Sequence, residues 1–317
     1  MDRNELRSDR VAVVMSAPLP FNEGADYDTL RRRWLSKYAR IQGQADTKIR
    51  TVLVDAASEA HDRIAVLAQK STFSAGVRSA QIRLAIQQTR ITLNDVFNAV
   101  LPIIKTGQGD EASAAVDGLT ESDRRYLLAV FRDAPSVKYF VESQRQAARN
   151  GVAHAISSVT GADRPLSARV YRSKALANNW IKNTVTAAIV RGDSAADLAK
   201  AVRSSIRPTT PGGVSYAALR LGRTELNNAF HATAIEMSKD RPWIDGMRWH
   251  LSATHEWQGG DEPCERLSGR IFAIEHVPAK PHPQCRCFIT PELEAFEVFE
   301  RNLLAGNYRE WTEKNAA

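Results

Sequence analysis

All three cysteines of this chain, Cys264, Cys285 and Cys287, fall inside one stretch, Trp249 to Thr290. In a chain of 317 residues, that crowding asks for one explanation of the three together. Two histidines, His255 and His282, lie in the same stretch. Thiolate and imidazole are the donors zinc prefers, and four of them close a tetrahedral structural site. The stretch ends in H-P-x-C-x-C. If 285–287 is extended, alternate side chains leave one face, so Cys285 and Cys287 point the same way. His282 lies just before them, its backbone stiffened by Pro281 and Pro283. His255 and Cys264 come from an earlier loop broken by Gly259 and Gly260. One ion would clamp two halves of a long loop that has little apolar material of its own.

The expected ligands are His255, Cys264, His282 and Cys285, with Cys287 as the substitute for either histidine and Asp261 as a further donor. Two other readings stand beside zinc. The thiols can be buried, reduced and inert, since free cysteine packs as a small apolar residue. Or Cys264 pairs with one of the other two. Three cysteines give no disulfide framework, and nothing resembles a signal peptide, so a reducing cytosol is the expected setting. No apolar run approaches the length of a membrane span.

The net charge of +7 is unevenly placed. Between Arg164 and Arg223 there are eleven Lys or Arg and only two acids, Asp193 and Asp197. A region of this kind suits non-specific contact with nucleic acid, and Arg169, Arg172, Lys174 and Lys182 are its candidate phosphate ligands. A solvated helical face is the plainer alternative.

Apolar residues recur at three or four from Asp26 onward. Leu30, Trp34, Tyr38 and Ile41 begin the series, and Ile49, Val52, Ala56, Ile64 and Leu67 continue it. This predicts one long helix. A break at Ser71–Gly76 precedes a second, about Val77 to Lys105, which Pro102 should kink or end. Two such helices read as an antiparallel hairpin. Gly107 to Gly118 reads as a loop, followed by shorter helices at 121–132 and 137–157. Helices are expected again at 167–190, 195–206 and 216–239, stopped by Arg241-Pro242. Short β-prone runs follow at 247–251, 270–274 and 287–290, and Pro291 to Asn307 returns to helix. The fold class is therefore mostly α with a small C-terminal α+β module. The expected domains are a loose arm over 1–25, a helical domain over 26–160 and a closing domain over 161–317 that holds the Cys/His module at 249–290.

Several of these segments together carry a family resemblance. They are G-D-S-A-x-x-L-A at 192–199, L-x-R-T-E at 221–225 with Asn228 and Ala229, then Trp249, D-E-P-C at 261–264 and K-P-H-P-Q-C-R-C at 280–287. Over about Ser167 to Thr290 the chain resembles the phage head-morphogenesis family, the Mu F-like minor head proteins. The resemblance implies a minor capsid protein of a tailed bacteriophage, present in few copies at the portal vertex and needed for head assembly. It implies a place in the virion, inside the capsid, after assembly in the host cytoplasm. Its partners would be the portal protein, the major capsid or scaffold protein, and packaged double-stranded DNA. Many members carry C-x2-C where this chain has Asp261-Glu-Pro-Cys264, so Asp261 replaces one common thiol and His255 gains weight as a ligand.

Arg223 and Glu225 are two apart and do not face each other on a helix. They are expected to form a polar network that orients the loop carrying Cys264. No enzyme is expected. A surplus of protein donors argues for a closed site, whereas a catalytic zinc keeps a position open. The chain also lacks a Gly-rich phosphate loop and an H-E-x-x-H helix. The competing readings are a metal-dependent nuclease built on the His/Cys cluster and a plain DNA-binding protein. Residues 26–105, with Leu30, Trp34 and Tyr38, are expected to dock on a portal or shell protein.

Overall fold

The computed structural model describes residues 23–69, 75–130, 141–142, 144–146, 166–191, 193, 195–207, 213–252 and 262–311. These are mostly helical, with a small sheet near the C-terminal end. The helices are α1 (Glu23–Gln69), α2 (Ala75–Val130), α3 (Leu166–Arg191), α4 (Ala195–Ile206) and α5 (Val214–Ser238). Then come β1 (Ile244–His250), a short α6 (Pro263–Leu267), β2 (Ile271–Phe272), β3 (Phe288–Leu293) and α7 (Phe296–Leu304). The chain divides into two compact units. The first lies within 1–39, 109–159 and 228–317, the second within 40–108 and 160–227.

α1 is a single helix because its apolar residues never lose the helical period. Trp34, Tyr38, Ile41, Ala45, Ile49, Leu53, Ala56, Ala60 and Ile64 recur at three or four and are all buried. Gly43 does not interrupt it. The aromatic start of this stripe is not free for a partner, contrary to expectation. Trp34 and Tyr38 pack on Phe230, with ring centroids 5.4 and 4.7 Å away.

α2 overturns two expectations. Pro102 lies inside it without ending it, and Gly107 to Gly118 is helix, not loop. Pro102 is exposed, so the carbonyl orphaned one turn earlier is on the wetted side. The glycines are places of close packing. A Cβ at Gly107 would come within 2.9 Å of Leu226 Cδ1, and one at Gly118 within 2.5 Å of Trp34 Cε2. The helix expected at 121–132 is therefore the end of α2. The one expected at 137–157 falls largely outside the described residues, though 141–142 and 144–146 are helical. In the second unit α1 and α2 run antiparallel. Arg63 bonds Gln88, while Ile49 and Ile104 both face Gly222.

This yields a paired expectation. Gly118→Ala forces a methyl into a buried indole and should cost about 1–3 kcal/mol. Gly109→Ala, with nothing within 4 Å of the new methyl, should stabilise the helix by about 0.5–1 kcal/mol. Denaturant unfolding of both variants checks this. Equal effects would mean that Gly118 is not a packing glycine.

The sheet is antiparallel in the order β2-β1-β3. Trp249 pairs with Ile289, and Met247 with Pro291. Pro291 thus sits in β3, where a helix was expected to begin; β3 is an edge strand, which tolerates a missing N–H. Met247 and Trp249 alternate inward and are fully buried, while Arg248 on the other face pairs with Glu292 at 2.6 Å. The core of the first unit joins these strands to Trp34, Tyr38, Leu119, Tyr126, Phe230, Trp243 and Phe299. Cys264, Cys285 and Cys287 belong to the same core.

Candidate metal centre

Two local structures bring the donors together. The first is α6. Glu262 caps it, its Oε2 accepting from Glu265 N at 2.7 Å, and Pro263 takes the first turn, where no N–H is needed. Cys264 follows and points into the core. The second is the turn His282-Pro-Gln-Cys285, closed by Cys285 N donating to His282 O at 3.3 Å. Gln284 has φ 63, in the left-handed region that side chains rarely adopt. The loop after α6 is tied to the sheet. Gly269 N donates to Trp249 O, and Trp249 N to Arg270 O, both at 2.9 Å.

Cys264, His282 and Cys285 form a group whose ligand atoms all lie within 4.8 Å of one another. Cys264 Sγ is 3.3 Å from His282 Nε2 and 3.5 Å from Cys285 Sγ. An ion holding thiolates at about 2.3 Å in tetrahedral geometry separates two sulfurs by about 3.8 Å. The donors are therefore at close to the spacing one ion requires. His282 Nδ1 is 3.0 Å from Pro283 O. A carbonyl only accepts, so this contact is donated by Nδ1, and Nε2 is the ring nitrogen that faces Cys264 Sγ and Glu262 Oε1. The three thiols are free, so the disulfide reading is not the one observed.

Cys287 is fully buried beside this group, and its thiol is hydrogen-bonded with those of Cys285 and Cys264. Residues 285 and 287 are buried and Arg286 half-buried, the alternation expected of an extended segment. His255 and Asp261 lie outside the described residues. A donor the sequence did not single out is Glu262, buried, with Oε1 3.4 Å from His282 Nε2. Its place before Pro-Cys was the available signal.

The thiols do not ionise alike. Burial pushes Cys264 up to about 12, reinforced by Cys287 and Glu262 and opposed by its bond with Cys285. Cys287 is raised by its bond with Cys285 and by burial. Cys285 is lowered, chiefly by the bond from Cys287, against burial. Cys264 and Cys287 are thus held toward the thiol and Cys285 toward the thiolate; an ion would displace the protons that remain.

Lys280 and His231 flank Trp249, and Glu111 acts electrostatically on Lys280. Lys280 Nζ lies 5.4 Å over its indole and donates to Cys287 O. His231 stands edge-on to the same ring, and burial, with Lys280 nearby, lowers its pKa to about 3. Glu111, on α2, is fully buried, and neither carboxyl oxygen has a hydrogen-bond partner among the described residues. Burial, then Asp110, lifts its pKa from 4.5 to about 9, against Lys280 and Lys37. The folded value lies above the unfolded one, so the folded state keeps an extra proton between them. The stabilising contribution is complete below pH 4.5 and is lost as pH rises toward 9. Glu111→Gln should thus melt increasingly above the wild type as pH is raised through this window. Parallel melting curves would show that Glu111 ionises normally.

Arg223 and Glu225 have partners on helices of the second unit. Arg223 pairs with Asp46 on α1 at 2.6 Å. Glu225 accepts from Arg169 on α3 at 2.6 Å and from Gln108 on α2 at 3.2 Å. They bind α5 to its neighbours in the second unit. The same geometry removes Arg169 from the phosphate ligands, since its guanidinium is held by buried Glu225. Arg172 and Lys182 are exposed, and Lys174 is half-buried. Trp249 is core.

Among the described residues, no helix is long and apolar enough to cross a membrane. No family model, curated protein or solved structure matches the chain.

Proposed function

We propose that this chain is a non-enzymatic assembly protein, a minor capsid protein of a tailed bacteriophage, whose C-terminal module is closed by one structural zinc. The observation that carries the reading is the group of buried Cys264 and Cys285 with half-buried His282, and buried Cys287 against it. With Cys287 as a fourth donor, protein groups would fill a tetrahedral zinc and leave no position for a water or substrate. That favours a clamp over a hydrolytic centre. The segments at 192–199, 221–229 and 261–287 supply the resemblance to the Mu F-like minor head proteins.

Two surfaces support the proposed partners. Val54, Val66, Leu84 and Ile91 are large apolar residues exposed on α1 and α2. They suit docking on a portal, major capsid or scaffold protein in place of the buried Trp34 and Tyr38. Arg172, Lys182, Lys200, Arg207 and Arg220 are exposed on and after α3, α4 and α5. They suit non-specific contact with the phosphates of packaged double-stranded DNA inside the capsid.

The chain should co-purify with procapsids assembled in the host cytoplasm and with finished particles. Absence from both would end the assembly reading. Changing Arg172, Lys182 and Lys200 to Gln should leave incorporation intact and weaken DNA binding. The slope of log K against log salt should fall by roughly 0.9 for each phosphate no longer neutralised. An unchanged slope would remove the genome-facing role. Plasmid nicking abolished by His282→Ala would replace the whole reading with a metal-dependent nuclease.

A further inference from the structure

We infer that Gln284 is a positioning residue of the metal centre: its left-handed backbone turns the Pro283 carbonyl onto His282 and so directs the imidazole at the ion, and the cost of that conformation is offset by metal binding. The inference rests on the zinc reading above and extends it to what sets the affinity of the site.

Three observations define the turn. Cys285 N donates to His282 O at 3.3 Å, which closes a four-residue turn. The proline ring at 283 fixes a negative φ at its second position. Gln284, at the third, has φ 63. Negative then positive is a type II turn, which favours glycine at the third position because a side chain there meets the central carbonyl. The other described residues with a positive φ are Gly269 and Gly306. Gln284 is the exception among them, and it stands between two candidate ligands.

The local sequence does not require the left-handed form. A type I turn also accepts proline second and also closes the bond from Cys285 N to His282 O. It keeps residue 284 at a negative φ that any side chain adopts. The two turns differ by a half-rotation of the peptide between 283 and 284, which carries the Pro283 oxygen from one side of the turn to the other. Here that oxygen is 3.0 Å from His282 Nδ1 and accepts its proton. Nε2 is thereby left to face Cys264 Sγ at 3.3 Å and Glu262 Oε1 at 3.4 Å. Cys285 Sγ, at the other end of the turn, is 3.5 Å from the same sulfur. Rotating the peptide would take the acceptor away from Nδ1 and free the ring to swing. A carbonyl on the far nitrogen is what fixes tautomer and direction in a ligating histidine, and residue 284 is what puts it there. Holding a side chain left-handed disfavours the turn by roughly five- to thirtyfold, and that factor is subtracted from the metal affinity.

Zinc affinity of the full chain at neutral pH, by competition with a chromophoric chelator, tests this in wild type, Gln284→Gly, Gln284→Asn and Gln284→Val. Glycine takes a positive φ freely, asparagine tolerates it, and a β-branched side chain adopts it worst. Gln284→Val should bind zinc about tenfold more weakly and Gln284→Gly about threefold more tightly, with Gln284→Asn between Gln284→Gly and wild type. Without zinc the turn relaxes, so zinc-free Gln284→Val should melt with zinc-free wild type. A residue that serves only the fold moves both forms together. Lower melting of Gln284→Val with and without zinc, at unchanged affinity, would therefore overturn the inference, and so would a zinc-free Gln284→Val that does not fold. An equal loss of affinity in Gln284→Gly and Gln284→Val would assign the effect to the glutamine side chain and overturn it too. The imidazole gives an independent readout. In zinc-loaded wild type with isotope-labelled histidine, nuclear magnetic resonance should show the proton of His282 on Nδ1 and the metal on Nε2; the reverse sinks the positioning role. If wild type and all three variants bind zinc equally, this inference alone falls. If wild type binds none, the zinc reading falls and takes it along.

Discussion

Cys264→Ser should release the metal and cause the largest loss of stability of any single change in the C-terminal module. The purified wild type should carry about one zinc per chain after dialysis against a weak chelator. Zinc bound to small structural motifs contributes roughly 10–16 kcal/mol at neutral pH, and that binding energy is folding energy. Here the module also shares an apolar core with Trp249, Phe288 and Ile289, so it should loosen without unfolding completely. Cys264 joins α6 to the His282–Cys285 turn. Without it, the intervening loop would be held by the sheet bonds at Trp249 and Gly269, the β1–β2 pairing, the bond between His231 and Pro278 O, and the packing of Ile274 and Val277 on the core. Elemental analysis, thermal melting and tryptophan fluorescence check this together. Cys285→Ser should behave in the same way. A metal-free wild type with the same melting temperature as its zinc-treated sample would sink the idea.

Asp123→Ala should cost about 3–5 kcal/mol, although Asp123 is remote from the thiol cluster in sequence. Its Oδ2 accepts from Arg241 Nε at 2.7 Å, and its Oδ1 from Trp243 Nε1 at 3.1 Å. Arg241 also donates to the Met237 carbonyl at the end of α5. Both charged side chains are only 5% exposed, so solvent screens the pair little. Burial raises the pKa of Asp123, and Arg241 and Trp243 oppose that rise. Removing the carboxylate leaves a buried guanidinium whose main counter-charge is gone. It also frees the indole that orients the entry into β1. The Asp123→Ala, Arg241→Met double variant should recover much of the loss, because neither charge then remains to be desolvated. Urea unfolding of the two single variants and the double variant measures the coupling. A loss under about 1 kcal/mol for Asp123→Ala would place the pair among ordinary surface bridges.

Local pattern carried much of the architecture. α4 begins and ends where its sequence says, at Ala195 and Ile206, and a buried stripe of Ala199, Val202 and Ile206 runs to its end. α3 and α5 differ from their expected ends by a residue or two. The failures have a common physical origin. Pro102, Gly107 and Gly118 weaken a helix in isolation, so they read as its end. Trp34 and Leu226 pack where two glycines leave room, and nothing near residue 118 announces that residue 34 will be there. Pro291 reads in sequence as the first residue of a helix, when the edge position of β3 lets it stay in the strand.

The donor set divides in the same way. That Cys264, His282 and Cys285 are chemically fit for one metal ion was determined by the sequence, since ligand chemistry belongs to the side chain itself. The helical period and the small closing sheet were determined there too, because periodicity is local. Only the tertiary structure decided that Glu111, from the middle of α2, is buried and shares an electrostatic neighbourhood with Lys280 beside Cys287. It also decided that Arg169 is held by Glu225 while Arg172 stays in solvent. Desolvation and Coulomb attraction act through space over a few ångströms, whatever the separation along the chain. Which groups lose water together, and so which charges must be balanced, is settled only when the helices and the sheet have packed.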